Sequence, residues 1–262
     1  MPFAEVNGQR LRYEDSGGDG PAVILSHGLL MDREMFAPQV EALGGEFRVI
    51  TWDERGFGKT EFDGEPFTYW DSARDCLGLL DHLGIERAVL GGMSQGGFLS
   101  LRAALLAPER VRGLVLIDTQ AGVEDPERLP AYRQMQAMWL EAGPVDDLAH
   151  AIADLIIGEP TLNEVWIAKW RKLPRESLGE PGECLFTRDD ISDRLAEITC
   201  PAIVFHGTAD RSIEIERAQE LCRGLPGCTG VVPIEGAPHA SNLTHPQQLN
   251  PPLLGFLRDL RA

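Results

Sequence analysis

The sequence predicts an α/β protein, with a mostly parallel eight-stranded sheet, helices on both faces and a helical insertion late in the chain. Three observations predict it. From residue 22 to residue 118 short apolar runs alternate with segments of helical spacing, the rhythm of βαβ units. The run Ala22-Val23-Ile24-Leu25 is apolar at every position, as a strand buried on both faces is. Between about Ala121 and Ile198 strand signals vanish while helical spacing persists, and the sheet pattern resumes at Ala202-Ile203-Val204-Phe205-His206.

In order along the chain, Phe3 to Val6 and Gln9 to Glu14 flank Asn7-Gly8, a strong short hairpin signal. Ala22 to Leu25 is the third strand and runs into Ser26-His27-Gly28-Leu29-Leu30; Met35 to Leu43 is helical, and Arg48 to Asp53 is the fourth strand. Trp70, Ala73, Leu77, Leu80 and Leu83 mark a helix closed by Gly84. A strand from Val89, a helix carrying Phe98, Leu101, Leu105 and Leu106, and a strand over Val111 to Asp118 complete this part. Three helices follow, Leu129 to Ala142, Val145 to Ile157 and Thr161 to Lys172, separated by Gly143-Pro144 and Gly158-Glu159-Pro160. After the strand at Ala202, a helix from Glu214 to Leu225 leads to a strand over Gly230 to Ile234, and a last helix ends at Leu260. The expected division is a core formed by residues 1–120 and 199–262, with 121–198 inserted as a helical cap.

Bulk properties narrow the function classes. A chain of 262 residues, 43% hydrophobic, suits one large domain or a domain with an insertion. Its net charge of −17, from 24 basic and 41 acidic residues, argues against nucleic acid and anionic membrane surfaces as partners. No apolar run approaches the roughly 20 residues a membrane helix needs, and the start, Met1-Pro2-Phe3-Ala4-Glu5, lacks the basic and apolar segments of a signal. A cytoplasmic protein is expected, as a monomer or a homodimer. The five cysteines are scattered and lack zinc-site spacing, so most of them read as reduced structural thiols. Cys222 and Cys228 are near in sequence, but Gly224-Leu225-Pro226-Gly227 between them reads as an ordinary loop.

Chemistry concentrates at Gly92-Met93-Ser94-Gln95-Gly96, a G-x-S-x-G pattern between a strand and a helix. A strand that reverses sharply into a helix holds its turn residue in strained geometry, and only small neighbours leave room for that. Ser94 is thereby lifted clear of the sheet, where the helix N-terminus favours developing negative charge. A serine hydroxyl also needs a base, and the base needs a carboxylate to fix its tautomer. Asp210 and His239 supply them from glycine-flanked loops beyond two late strands, at the sheet edge that Ser94 occupies. Rival assignments are His245 as base and Asp118 as acid; Asp53 reads as a structural residue with its own loop and Arg55, His206 as a packed core histidine, and His82 and His150 as helix residues. The oxyanion donors are expected at the Gln95 amide and, from the loop after the third strand, at Leu29, with Leu30 as the alternative. Trp139, Trp166 and Trp170 fall in the insertion, where they either line an apolar substrate pocket or pack the cap onto the core.

With these residues in place the sequence resembles the α/β-hydrolase superfamily over nearly its whole length, through His27-Gly28, Asp53 to Gly58, Gly92 to Gly97, His206 to Asp210 and Gly236 to His239. The short cap and His239-Ala240-Ser241-Asn242 are similar to the 3-oxoadipate enol-lactonase and small esterase branch. Relatives that open halides or epoxides use an aspartate nucleophile and often a proline after His-Gly, where this chain has Ser94 and Leu30. The resemblance implies the α/β-hydrolase fold and acyl transfer to water from a small ester or lactone, with no metal or organic cofactor. A strongly anionic substrate would need cations at the pocket, for which Arg133, Lys169, Arg171 and Arg188 are the candidates. The same triad could pass the acyl group to hydrogen peroxide or cleave a carbon–carbon bond; a ligand-binding protein without turnover is the third alternative.

Overall fold

The computed structural model describes residues 2–261. It opens on a hairpin of β1 (Phe3–Val6) and β2 (Gln9–Asp15), whose turn residues Asn7 and Gly8 both have positive φ, as a two-residue hairpin of this hand requires. Then come β3 (Ala22–Ser26), α1 (Ala37–Leu43), β4 (Arg48–Trp52), α2 (Tyr69–His82), β5 (Ala88–Met93), α3 (Gln95–Leu106) and β6 (Val111–Ile117). Four helices intervene: α4 (Leu129–Ala142), α5 (Asp146–Ile156), α6 (Pro160–Trp170) and α7 (Gly179–Phe186). The chain closes with β7 (Ala202–Gly207), α8 (Ile215–Gly224), β8 (Cys228–Ile234), α9 (Ser241–Thr244) and α10 (Pro246–Asp259).

The eight strands form one sheet in the order β1-β2-β4-β3-β5-β6-β7-β8. Only the β1–β2 and β2–β4 pairs are antiparallel, so the expected mostly parallel α/β sheet is the one observed. Alternate side chains of each central strand feed two apolar layers. Ile24, Leu90, Leu116 and Val204 join α2, α3 and α8 on one face. Leu25, Val89, Ile117 and Phe205 join α1, α10 and much of α5 and α6 on the other. Burial on both faces explains why these strands read as continuous apolar runs. No helix among the described residues is long and apolar enough to cross a membrane.

Three features differ from expectation. The helix α7 is not among the three expected helices of this stretch, and it contains Gly179, Pro181 and Gly182, which are poor helix formers. Its start is held from outside: Gln136 on α4 donates to the carbonyls of Leu178 and Gly179, at 3.1 and 3.0 Å, and Gly182 lets that amide lie against the backbone. Cys222 and Cys228 are not reduced thiols but form a disulfide across the turn from α8 to β8, their Cα atoms 5.4 Å apart. The loop between them folds back through a bond from the Cys228 amide to the Leu225 carbonyl at 3.0 Å, which brings the thiols together. The third difference concerns the partner of Asp53: it accepts from its own loop at the Lys59 amide, 2.8 Å away, as expected, but its cation is Arg33 at 3.1 Å, while Arg55 turns to Asp75 at 2.7 Å.

Candidate active site

The β5–α3 junction has the strained geometry that its small residues suggest. Ser94 sits at φ 52° and ψ −114°, a conformation L-residues avoid. Its two flanking glycines have steric reasons. A Cβ on Gly92 would collide with the backbone of Gly96, and one on Gly96 with the carbonyl of Ser26 on β3. Behind the turn, Thr119 Oγ1 donates to the Ser94 carbonyl at 2.8 Å, and the Ser94 amide donates to the Ile117 carbonyl at 2.9 Å. Gly96→Ala is therefore expected to cost about 1–3 kcal/mol by forcing α3 away from β3, a fall of roughly 2–10 °C in Tm. Thermal unfolding followed by circular dichroism checks it; an unchanged Tm would show that the helix needs no such clearance.

Asp210 and His239 come together beyond β7 and β8. The Nδ1 of His239 lies 2.7 Å from Asp210 Oδ2, while Asp210 Oδ1 accepts from the amides of Ser212 and Ile213 at 2.7 and 3.0 Å. Burial works against the Asp210 charge, but the neighbouring His239 outweighs it and holds the carboxyl below its ordinary range. Burial likewise opposes a charged His239, yet the Asp210 carboxylate lifts its pKa above the ordinary 6.5. Ser94 and His239 line the same cavity.

The rival groups are placed differently. Asp118 does not bond His239: its carboxylate accepts from the Gly207 amide at 2.7 Å and from the amide and hydroxyl of Ser241. Burial and the charge of Asp210 push it up to about 7. His206 is fully buried, faces the Ile213 carbonyl at 2.9 Å and lies 3.5 Å from Asp210. Asp118, His206 and Asp210 are close enough to share an ion, but both carboxylates already accept hydrogen bonds from the protein. His245 stands at the start of α10 with Nδ1 2.9 Å from the Thr244 hydroxyl.

The loop after β3 turns through Gly28, whose carbonyl accepts from the Met31 amide at 3.0 Å. Leu30 takes a positive φ of 60°, and Trp170 of α6 donates its indole N–H to the Leu30 carbonyl at 2.6 Å. The Leu29 and Gln95 amides donate to no acceptor among the described residues, and Leu29 borders the cavity. Below the loop the buried, neutral-favouring His27 contacts the Gly28 carbonyl at 2.8 Å and accepts from the Glu54 amide at 3.0 Å. Such an arrangement can deprotonate a hydroxyl at Ser94 and receive negative charge on two free amides.

The cavity in front of Ser94 and His239 has a volume of about 100 Å³. Its walls are mostly apolar, with Met135 from α4 and Ile152 and Ile156 from α5 facing Met93 and Phe98 of the sheet side. The three tryptophans are not among them. Trp139 and Trp170 pack edge to face at 6.2 Å, and with Trp166 they are buried in the apolar layer shared with α1 and α10. Trp166 and Trp170 border a separate groove of about 580 Å³. Of the two readings of these tryptophans, their contacts fit packing against the core, and the aromatic residues at the cavity are Phe98, Tyr132 and Phe186 instead.

Several contacts that shape the site carried no signal in the sequence. Gln95 donates through its side chain to Glu54 at 2.8 Å, and burial raises the Glu54 carboxyl well above its ordinary range. Thr119, Ser241 and the cavity residues of α4 and α5 acquire their roles through contacts between segments far apart in the chain.

The model of a family described by its alpha/beta hydrolase fold matches residues 21–246. A relative in Synechocystis sp., provisionally named a non-heme chloroperoxidase, is 30% identical over 98% of this chain and 100% of its own. The 3-oxoadipate enol-lactonase 1 of Acinetobacter baylyi is 25% identical over 97% of this chain and 95% of its own. Among solved structures, a thermophilic esterase from Thermogutta terrifontis superposes with a TM-score of 0.91 at 28% identity, covering 100% of both chains.

Proposed function

The chain belongs to the alpha/beta hydrolase fold family and acts as a hydrolase on ester-type bonds, and we propose that it cleaves a small, hydrophobic carboxylic ester or lactone through an acyl-enzyme on Ser94. The observation that carries this reading is one cavity bordered by Ser94 at a strained turn and by His239, itself bonded to Asp210. In the proposed reaction Ser94 Oγ attacks the ester carbonyl while His239 takes its proton, and Asp210 holds the imidazole and balances its charge. The oxyanion is received by the Leu29 and Gln95 amides. The leaving alkoxide takes the proton back from His239, and a water activated by the same base then releases the acid. The helices between β6 and β7 serve in this reading as a cap that supplies the apolar wall.

The test is hydrolysis of p-nitrophenyl butyrate and of γ-butyrolactone, with a fluorophosphonate probe and mass spectrometry to locate the adduct. Labelling of Ser94 together with turnover is the expected result; labelling elsewhere, or none, would overturn the reading. Formation of peracid when hydrogen peroxide is added would instead favour the peroxide-using alternative that the Synechocystis relative's name suggests. A pH profile adds a second check. Because Asp210 raises the His239 pKa and only the neutral imidazole can accept a proton, kcat/KM falls on the acid side with a midpoint above pH 6.5. An acid side on which kcat/KM does not fall would remove His239 from the role of base.

A further inference from the structure

The cavity at Ser94 carries a charge pattern that goes beyond its apolar character. Apart from His239, the one ionisable carboxylate or cation in its wall among the described residues is Glu124. Every candidate cation of the insertion is occupied elsewhere. Arg133 pairs with Glu183 at 3.0 Å, Lys169 with Asp32 and Glu34 at 2.8 Å each, and Arg171 with Asp146 at 2.7 Å. The fourth candidate, Arg188, has its guanidinium 4.5 Å from the ring centre of Phe98, a residue of the cavity wall. It is buried, and it donates to the carbonyls of Gly122 and Leu185 at 3.0 and 2.8 Å, leaving Glu124 at 3.4 Å as its counter-charge. The Glu124 charge also reaches His239 and adds to its proton affinity.

Resting on the serine-hydrolase reading, we propose that Glu124 sets the substrate class, selecting esters and lactones with an uncharged acyl part and rejecting those with a second, free carboxylate. A carboxylate entering this cavity would leave water without gaining a cation. It would also meet the carboxylate of the Glu124–Arg188 pair, the member of that pair that lines the cavity, and like charges repel there. An uncharged alkyl chain meets neither penalty and buries its surface against the apolar wall. By pairing with Arg188, Glu124 also keeps that guanidinium from serving as the partner of an entering anion.

The test compares two esters of equal chain length and leaving group, p-nitrophenyl hexanoate and the mono-p-nitrophenyl ester of adipic acid. Wild-type kcat/KM is expected to favour the hexanoate by at least about 100-fold. In Glu124→Gln, which keeps the shape and leaves Arg188 uncompensated, that ratio is expected to fall at least about tenfold. Circular dichroism monitors the fold of the variant; if it does not fold, the double variant Glu124→Gln with Arg188→Gln, which removes both charges of the pair, takes its place with the same expected fall in the ratio. Equal cleavage of both esters by the wild type, or an unchanged ratio in a folded Glu124→Gln, would overturn the assignment of Glu124 and leave the serine-hydrolase reading standing. Failure of the wild type to cleave either ester, with no fluorophosphonate adduct on Ser94, would overturn both.

Discussion

Ser94→Ala is expected to lower kcat for p-nitrophenyl butyrate by about 10⁶-fold, to the level of background hydrolysis, while Tm moves by no more than a few degrees. The substitution removes one hydroxyl and nothing that holds the turn. Thr119 bonds the backbone carbonyl of residue 94, and the Ile117 carbonyl receives its amide, so both supports survive. Alanine at φ 52° carries the same backbone strain that serine already bears. Stability and activity are therefore separable at this position. A variant that keeps more than about 1% of wild-type turnover would mean that another group attacks the ester.

Asp210→Asn is expected to cost about 10⁴-fold in kcat with little change in the fold. The loss arises from the tautomer rather than from geometry. Asp210 Oδ2 accepts the proton on His239 Nδ1, which leaves the far nitrogen free to take a proton from Ser94. An asparagine amide facing the ring would donate instead, placing the imidazole proton on the wrong side. Asp118 is buried close to Asp210, but its oxygens are taken by Gly207 and Ser241. If Asp210→Asn retains more than a tenth of the activity, Asp118 is supplying the charge, and the double variant with Asp118→Asn would reveal it through a further large drop.

How much of this was legible in the sequence depends on the range of the interactions involved. The strands could be read because burial on both faces leaves a continuous apolar run, as in Ala22 to Leu25. The turn at Ser94 could be read because its constraint is local: two glycines within two residues are what the close approach of α3 to β3 demands. Even the partnership of Asp210 and His239 was accessible, since both end strands of a parallel sheet at one edge and the structure brings them within hydrogen-bonding distance. The Asp53 and Arg55 pairing misled because neighbours in sequence found better partners across the fold, in Arg33 and Asp75.

By itself, then, the sequence determined the eight-stranded, mostly parallel architecture and the run of helices between its sixth and seventh strands, and it offered the residue types and order of the candidate site. Those follow from periodic burial and from backbone stereochemistry, which act over a few residues and leave their mark in the chain. Only the tertiary structure decided that Cys222 meets Cys228 and that Gly179–Phe186 is helical. It also decided that the three tryptophans seat the insertion while Met135, Ile152 and Glu124 face Ser94. The helix and the tryptophans depend on which distant segments pack together, and the disulfide on how the turn from α8 to β8 folds back; none of these is written in a residue's immediate neighbours.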